Sequence, residues 1–290
     1  MFPLEERVYL EMFNALLPRI QESVTPIGLC TTDGIRQHGT GTLVAVGEVH
    51  FLVSAAHVLD SARDAKLPLF CYAYGEKTDQ GRTIVPVPLE GTRFSWPDPL
   101  DVGVVKLTDA TVSRLTGRKF LRLCDVALRP AAPGWGWVSG FPLGMVQPVG
   151  DTSEAYNPLN WGSVISTAEP TNVSNFDTRF HFVLEHDPQE AAQLTGDPFK
   201  LPASFGGISG CAVWQTWWPI EEQGAEWRSR KIRIVGVQTG CYRKRTIKAT
   251  NWAAVAVLLA AAAPELQPVL QLHFPGWDAR DQIYRLAKSG

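Results

Sequence analysis

Short runs of apolar and β-branched residues, interrupted by Gly, Pro and Asp, fill residues 25–107 and restrict the fold more than any other feature. The runs are GTGTLVAVG (39–47), VHFLVS (49–54), PLFCYAY (68–74), RTIVPVPL (82–89) and DVGVVKL (101–107). Runs of this kind are typical of β-strands. The gaps between them are too short for crossover helices, so the strands are expected to be antiparallel.

A second set of β-type runs follows after a segment with prolines near its end. The runs are GWGWVSGF (134–141), WGSVIST (161–167), RFHFVLEH (179–186), CAVWQTWW (211–218) and IRIVGVQTG (232–240). Two groups of about six short strands predict an all-β chain of two packed, antiparallel six-stranded barrels. We place the first barrel at 25–115, the connection at 116–133 and the second barrel at 134–250.

Helical patterns lie at the two ends of the chain. In residues 1–24, apolar side chains recur every three or four positions between charged ones, which predicts an amphipathic helix that packs on the body or on a partner. Residues 251–290 are predicted to be a helical extension. Its apolar run at 252–263 is shorter than the about 20 residues that a membrane span needs, so it favours a buried helix.

Charge and cysteine content exclude several classes of function. There are 27 Lys and Arg against 29 Asp and Glu, so no overall field would attract nucleic acid or an acidic membrane. The five cysteines are widely spaced without a C-x-x-C pair, so we expect mostly buried, reduced thiols and no metal or other cofactor. The N-terminal residues lack the apolar stretch of a secretory signal, which favours a cytoplasmic location.

The stretch FGGISGCAVW at 205–214 places a serine between glycines, directly before an apolar run. Taken alone, such a stretch predicts only a tight turn. Acyl transfer by a serine also needs an imidazole that accepts its proton and a buried carboxylate that orients the imidazole. His57 follows a β-type run and Asp101 opens another, so the chain offers both partners.

Three motifs in this order, SAAHV, LDVGVVKL and GISG, resemble the trypsin-like (chymotrypsin-fold) serine peptidases. GTGTLV at 39–44 and VSGFPLG at 138–144 resemble two further signatures of that family. The resemblance covers about residues 25–248 and fits a bacterial-type intracellular member. It implies a serine endopeptidase that acts on a protein or peptide substrate.

The resemblance also implies a role for each matching residue. Ser209 is the expected nucleophile, His57 the general base and then acid, and Asp101 the orienting carboxylate. The main-chain N–H groups of Gly207 and Ser209 are the expected oxyanion hole. Asp98 is a rival to Asp101, because it lies in the same turn; we prefer Asp101, which directly precedes the apolar strand.

Substrate specificity is expected from an edge strand and one pocket position. The resemblance implies that Gln238, Thr239 and Gly240 pair with the substrate backbone. It also implies that Ala203 lies at the position that contacts the substrate side chain before the scissile bond. Ala203 carries no charge, so small or apolar residues are favoured there.

The sequence departs from the family at the position that digestive and clotting members use for zymogen activation. Ile208 stands where they carry an aspartate, and no I-V-G-G-like start precedes the first barrel. The oxyanion hole is therefore either formed constitutively or closed until a partner remodels it. A protein regulator that contacts the N-terminal helix is one such partner. Alternatives remain: a catalytically silent pseudoprotease that binds protein, or an esterase-like hydrolase.

Overall fold

The computed structural model of the protein describes residues 6–78, 81–143, 146–149, 153–156, 158–185, 205–218, 231–242 and 246–279. Every strand pair in the described sheets is antiparallel, as the short gaps between the β-type runs predict. The all-β class is confirmed, with helices near both ends of the described chain.

The first half of the chain forms one antiparallel sheet. Its strands are β1 (Val24–Thr31), β2 (Gly34–Val46), β3 (Val49–Ala55), β4 (Leu69–Thr78), β5 (Gly81–Pro88), β6 (Gly91–Trp96) and β7 (Val102–Leu107). They pair in the order β5-β4-β1-β2-β3-β7-β6, so the sheet has seven strands where the sequence predicts about six. Strand β6, GTRFSW, has no buried face, and its sequence therefore lacks the apolar alternation of the other strands.

The second half contains the predicted six-stranded barrel. Its strands are β8 (Gly134–Gly140), β11 (Leu159–Ser166), β12 (His181–Glu185), β13 (Ala212–Trp217), β14 (Arg233–Tyr242) and β15 (Thr246–Asn251). They close in the order β11-β12-β15-β14-β13-β8. A separate hairpin of β9 (Val146–Val149) and β10 (Ser153–Tyr156) lies outside the barrel.

The predicted N-terminal helix is α1 (Glu6–Ser23), and its apolar face is used by the chain itself. Met12, Leu16 and Ile20 are buried. The ring of Tyr9 lies 4.7 Å from that of Trp135 in the second half. The main-chain oxygen of Gln21 accepts hydrogen bonds from the side chains of Tyr74 in the first half and Arg118 in the connection. The helix therefore packs on the body, against both halves.

The connection at 116–133 is attached to both halves. Leu121 forms a bridge with Val44 of β2, and Val126 forms one with Ile234 of β14. Between them, Asp125 accepts a hydrogen bond of 3.3 Å from Arg19 of α1. One hydrophobic core runs through β2, β7, β13, β14 and the C-terminal helix, so the two halves share apolar packing.

Four more helices complete the described chain. They are α2 (Ala56–Asp64), α3 (Asp109–Arg114), α4 (Trp252–Ala262) and α5 (Gln267–His273). The apolar run at 252–263 forms the buried helix α4, as predicted, and it packs against β6 and β7 of the first half. Across the described residues, no helix combines the length and apolar character that crossing a bilayer requires.

The five cysteines are free thiols, but they are not all buried. Cys71 and Cys211 are buried, and burial raises the pKa of both thiols, that of Cys71 to about 12. Cys124 and Cys241 are exposed, which corrects the expectation of mostly buried thiols for these two. Cys211 follows the predicted nucleophile loop and fits there without exposure to solvent.

Candidate active site

His57 lies where strand β3 of the first sheet ends and helix α2 begins. Strand β3 is buried at its end, and this fixes the main chain that carries the imidazole. The side chain itself is 52% exposed. About half of the imidazole side chain is therefore in contact with solvent.

Asp101 directly precedes β7 and binds His57 at two points. Its Oδ2 lies 2.7 Å from Nδ1 of the imidazole, and its Oδ1 accepts a hydrogen bond of 2.9 Å from the His57 main-chain N–H. An ionised carboxylate only accepts hydrogen bonds, so the Nδ1 proton is held toward Asp101. The lone pair of Nε2 is then directed away from Asp101, which is the tautomer that a general base needs.

The main chain of Asp101 is held in an uncommon conformation. Its φ of 50° lies in the left-handed region, which aspartate tolerates better than most residues. The Asp101 N–H donates to Pro97 O at 3.2 Å, and Asp101 O accepts from Ala56 N at 3.1 Å. These bonds join the turn before β7 to the start of α2 and so aim the carboxylate at the imidazole.

Asp98, the rival for the role of the acid, is bonded elsewhere. Its Oδ2 accepts a hydrogen bond of 2.9 Å from Asn175 Nδ2. Among the described residues, no hydrogen bond joins Asp98 to the imidazole of His57. Asp98 therefore acts on His57 only through its charge, and Asp101 is the carboxylate in contact with the ring.

The pKa of His57 is raised above its usual value. The hydrogen bond to Asp101 is the main cause, and it outweighs burial, which acts in the opposite direction; the charges of Asp101 and Asp98 add to the increase. The carboxylates stabilise the imidazolium ion that forms when His57 accepts a proton. This is the electrostatic environment that a general base uses in acyl transfer.

The loop with Ser209 is bonded to β2 and β14 and lies against the end of β3, which precedes His57. Ser209 O accepts from Thr40 N at 2.9 Å, and Gly210 N donates to Gln238 O at 2.9 Å. A Cβ at Gly210 would lie 2.7 Å from Ala55 N and closer still to Ser54 Oγ. The main chain at 209–210 therefore lies directly against the residues that precede His57.

The third link of the expected triad is not formed in this structure. The Ser209 hydroxyl makes no hydrogen bond to another described residue, His57 included, and Ser209 is partly exposed. In enzymes without substrate, hydrogen bonds between catalytic groups are often long and tighten when substrate binds.

The two expected oxyanion donors are available. Gly206 O accepts from Leu143 N at 2.7 Å, and Ile208 O accepts from Cys211 N at 3.1 Å. In a trans peptide the carbonyl and the following N–H point in opposite directions, so these bonds turn the N–H groups of Gly207 and Ser209 away from those partners. Neither N–H donates to another described residue, so neither has a hydrogen-bond acceptor in the described part of the chain.

The predicted substrate-binding residues are only partly described. Gln238 N donates to Cys211 O and Gln238 O accepts from Gly210 N, each at 2.9 Å, so its main chain is already bonded to the nucleophile loop. Thr239 and Gly240 follow it on β14, and Gly240 is partly exposed. Ala203 lies outside the described residues.

Side chains from the second half hold the turn that carries Asp101, and no sequence motif pointed to them. Thr250 Oγ1 donates to Leu100 O at 2.5 Å, directly before Asp101. His181 is buried nearby, and burial and the charge of Lys248 lower its pKa to about 4, so it is neutral at pH 7. No group of His, Cys, Asp and Glu in the described part of the chain could hold a metal ion.

Replacing Gly210 with alanine should lower the free energy of unfolding by about 2–5 kcal/mol, because a Cβ there meets Ser54 and Ala55 while φ is 91°. Gly34→Ala is the matched control: its φ is 114°, and no heavy atom lies within 4 Å of the added Cβ. It should lose only about 1–2 kcal/mol from backbone strain. Chemical denaturation of both variants measures the difference, and equal losses would mean that the two halves do not meet at Gly210.

Comparisons with known proteins give likenesses to solved structures and no match in sequence. No protein-family model matches the chain, and no curated protein matches it. A crystal structure described as a thermostable serine protease, AL20, from an extremophilic microorganism is similar at a TM-score of 0.48 and 11% identity. The alignment covers 84% of this chain and 99% of that one.

Proposed function

We propose that the chain is a serine endopeptidase, with Ser209 as nucleophile, His57 as general base and acid, and Asp101 as the orienting carboxylate. One observation carries the proposal. The Asp101 carboxylate binds both Nδ1 and the main-chain N–H of His57, while the Ser209 loop is bonded to Thr40 and lies against Ser54 and Ala55. These contacts support a site in which the imidazole of His57, in the tautomer of a general base, works with the neighbouring serine loop.

The proposed reaction has two stages. Ser209 Oγ attacks the carbonyl carbon of the scissile peptide bond, and its proton passes to Nε2 of His57. The N–H groups of Gly207 and Ser209 stabilise the oxyanion that forms. The carbon–nitrogen bond then breaks, and the leaving amine takes the proton from His57. Water attacks the resulting ester in the same way, which releases the acid and restores Ser209.

Substrate would bind along β14 in an extended conformation. The main chain of Gln238 is already bonded to the nucleophile loop, so Thr239 and Gly240 are the positions that we propose for strand addition. Ala203 is retained as the proposed specificity position, with small or apolar residues preferred. We also propose that the chain is a regulated protease and that it acts in the cytosol. Its free cysteines are compatible with a reducing compartment. A regulator that binds α1 would contact the exposed face of that helix.

A fluorophosphonate probe tests the function directly. The serine oxygen attacks phosphorus, the phosphorus–fluorine bond breaks, and fluoride and the serine proton leave. We expect one adduct per folded chain, on the tryptic peptide 201–228 that contains Ser209. Heat-denatured protein is the control and should remain unlabelled. A folded chain that gives no adduct, beside a positive control protease that does, would overturn the proposal.

The second candidate is a protein-binding module without catalysis. The observation in its favour is that the Ser209 hydroxyl makes no hydrogen bond to His57 or to any other described residue. Such a module would bind peptides in the groove without cleaving them. In the labelling experiment it would give no adduct, yet it would retain a labelled peptide on gel filtration.

A further inference from the structure

Thr40 lies on strand β2 of the first sheet, fully buried at the contact between the two halves. Its hydroxyl donates to Gly207 O at 2.8 Å and accepts from Phe141 N at 3.1 Å. Its main-chain N–H donates to Ser209 O at 2.9 Å, and its carbonyl accepts from Ser54 Oγ at 2.8 Å. One residue of the first half is therefore bonded to two loops of the second half.

These bonds complete the restraint of the nucleophile loop. Four consecutive carbonyls, those of residues 206 to 209, each have a partner: Leu143 N, Thr40 Oγ1, Cys211 N and Thr40 N. Thr40 supplies two of the four. Each bond fixes one peptide plane. The Leu143 and Cys211 bonds fix the two planes that carry the Gly207 and Ser209 N–H groups. The Thr40 bonds fix the plane between those two and the plane after them, so the main chain cannot rotate at the intervening residues without breaking a bond.

The loop needs such restraint because its own sequence does not provide it. Gly207 has a φ of 95°, and glycine adopts several other backbone conformations at little cost. Ile208 is buried and apolar, so its side chain forms no directional bond that could hold the neighbouring peptides. Without the Thr40 hydroxyl, Gly207 O would lose the only hydrogen bond that a described side chain gives it.

We propose that Thr40 is a positioning residue, which sets the Gly207 and Ser209 N–H groups for oxyanion binding before any partner or substrate arrives. This inference rests on the proposed function, and it selects the constitutive oxyanion hole over the closed one. Thr40 does not touch the reacting atoms; it acts through the carbonyls of the two residues that do. The oxyanion hole is thus held from the opposite half of the molecule.

Thr40→Val tests the inference, because valine keeps the shape of the side chain and replaces the hydroxyl with a methyl group. Thr42→Val is the matched control: Thr42 is buried on the same strand, and its hydroxyl has no partner among the described residues. Thr40→Ser retains the hydroxyl. Three quantities are measured in each variant: the rate constant of fluorophosphonate labelling, kcat and KM on a peptide ester, and amide hydrogen exchange over residues 205–210.

Thr40→Val should lower the labelling rate constant and kcat by about 10- to 100-fold with little change in KM, because the oxyanion forms only in the transition state. Hydrogen exchange over 205–210 should accelerate several-fold, and the pH midpoint set by His57 should not move. Thr40→Ser should restore labelling to within about threefold of wild type. Thr42→Val should match wild type throughout.

The outcomes separate this inference from the proposed function. Equal labelling and equal exchange in Thr40→Val and Thr42→Val would overturn the role of Thr40 while leaving the peptidase intact. If wild type is not labelled at all, the proposed function fails, and the exchange comparison alone decides whether Thr40 holds the loop. Circular dichroism checks folding; if Thr40→Val does not fold, Thr40→Ala removes the same hydroxyl without filling its space.

Discussion

Replacing Ser209 with alanine should lower kcat by about 10⁶-fold and abolish fluorophosphonate labelling. The change removes one oxygen from a partly exposed side chain, so the fold should be retained. His57 and Asp101 would still be paired, but no hydroxyl would remain for the imidazole to activate. Hydrolysis of a peptide ester and mass spectrometry of the intact labelled chain measure the two effects.

Ser113→Ala is the control for this experiment, because Ser113 is an exposed serine on α3 and has no part in the proposed triad. Its labelling and hydrolysis should equal those of wild type, and thermal unfolding of both variants should match. If Ser209→Ala were labelled as fast as wild type, the nucleophile would be another residue, and the assignment of the groove as an active site would fail.

Replacing Asp101 with asparagine should lower kcat about 10⁴-fold at neutral pH, which corresponds to about 5.5 kcal/mol of transition-state stabilisation. If the oxygen of the new amide group still accepts the bond from the His57 main-chain N–H, its NH₂ group faces Nδ1 of the ring. The NH₂ group can only donate to Nδ1, so it favours the opposite tautomer, with the proton on Nε2. The imidazole could then no longer accept the Ser209 proton. Steady-state kinetics on a peptide ester measures the loss.

Asp98→Asn is the matched control for this substitution. Asp98 lies in the same turn and affects His57 only through its charge, since its side chain is bonded to Asn175. The control should lower kcat by less than about tenfold, because the tautomer of His57 does not depend on Asp98. If kcat fell by a similar factor in the two variants, Asp101 would not be the specific orienting residue, and the whole turn would have that role.

The raised pKa of His57 gives Asp101→Asn a second signature. Catalysis needs the neutral imidazole, so activity should fall as pH drops through a value above the ordinary 6.5 or so. Without the carboxylate the pKa falls, and this acid limb should move to lower pH. Stability should change with pH in the opposite direction. The ion pair between His57 and Asp101 stabilises the fold fully at pH values below the pKa of His57 in the unfolded chain. This contribution disappears as the pH rises through the pKa of His57 in the folded protein.

Local patterns in the sequence predicted the elements and one contact of the site. The β-type runs gave the antiparallel strands, and the apolar spacing gave α1. The order of the motifs predicted that His57 and Asp101 are partners. In the structure, Nδ1 of His57 lies 2.7 Å from Oδ2 of Asp101. These features depend on residues near one another in the chain, or on motifs at strand ends, and both are visible in a single sequence.

Contacts between distant segments could not be read in this way. Thr40 is one of several threonines in the β-runs, and nothing in GTGTLV distinguishes it from Thr42, although one binds Gly207 and the other has no partner among described residues. Thr250, which holds Leu100, is equally inconspicuous. Strand β6 was missed because it has no buried face to produce an alternating pattern.

Helix α1 has a consequence for the order in which the chain acquires its fold during synthesis. The ribosome makes α1 before every strand of the two halves, and its partners Trp135, Trp137 and Thr216 emerge much later. Until then Met12 and Phe13 have no surface of the second half to cover. Final docking of this helix therefore waits until both β8 and β13 have been made, and a nascent chain that stops before residue 205 lacks Thr216 as well as the serine loop.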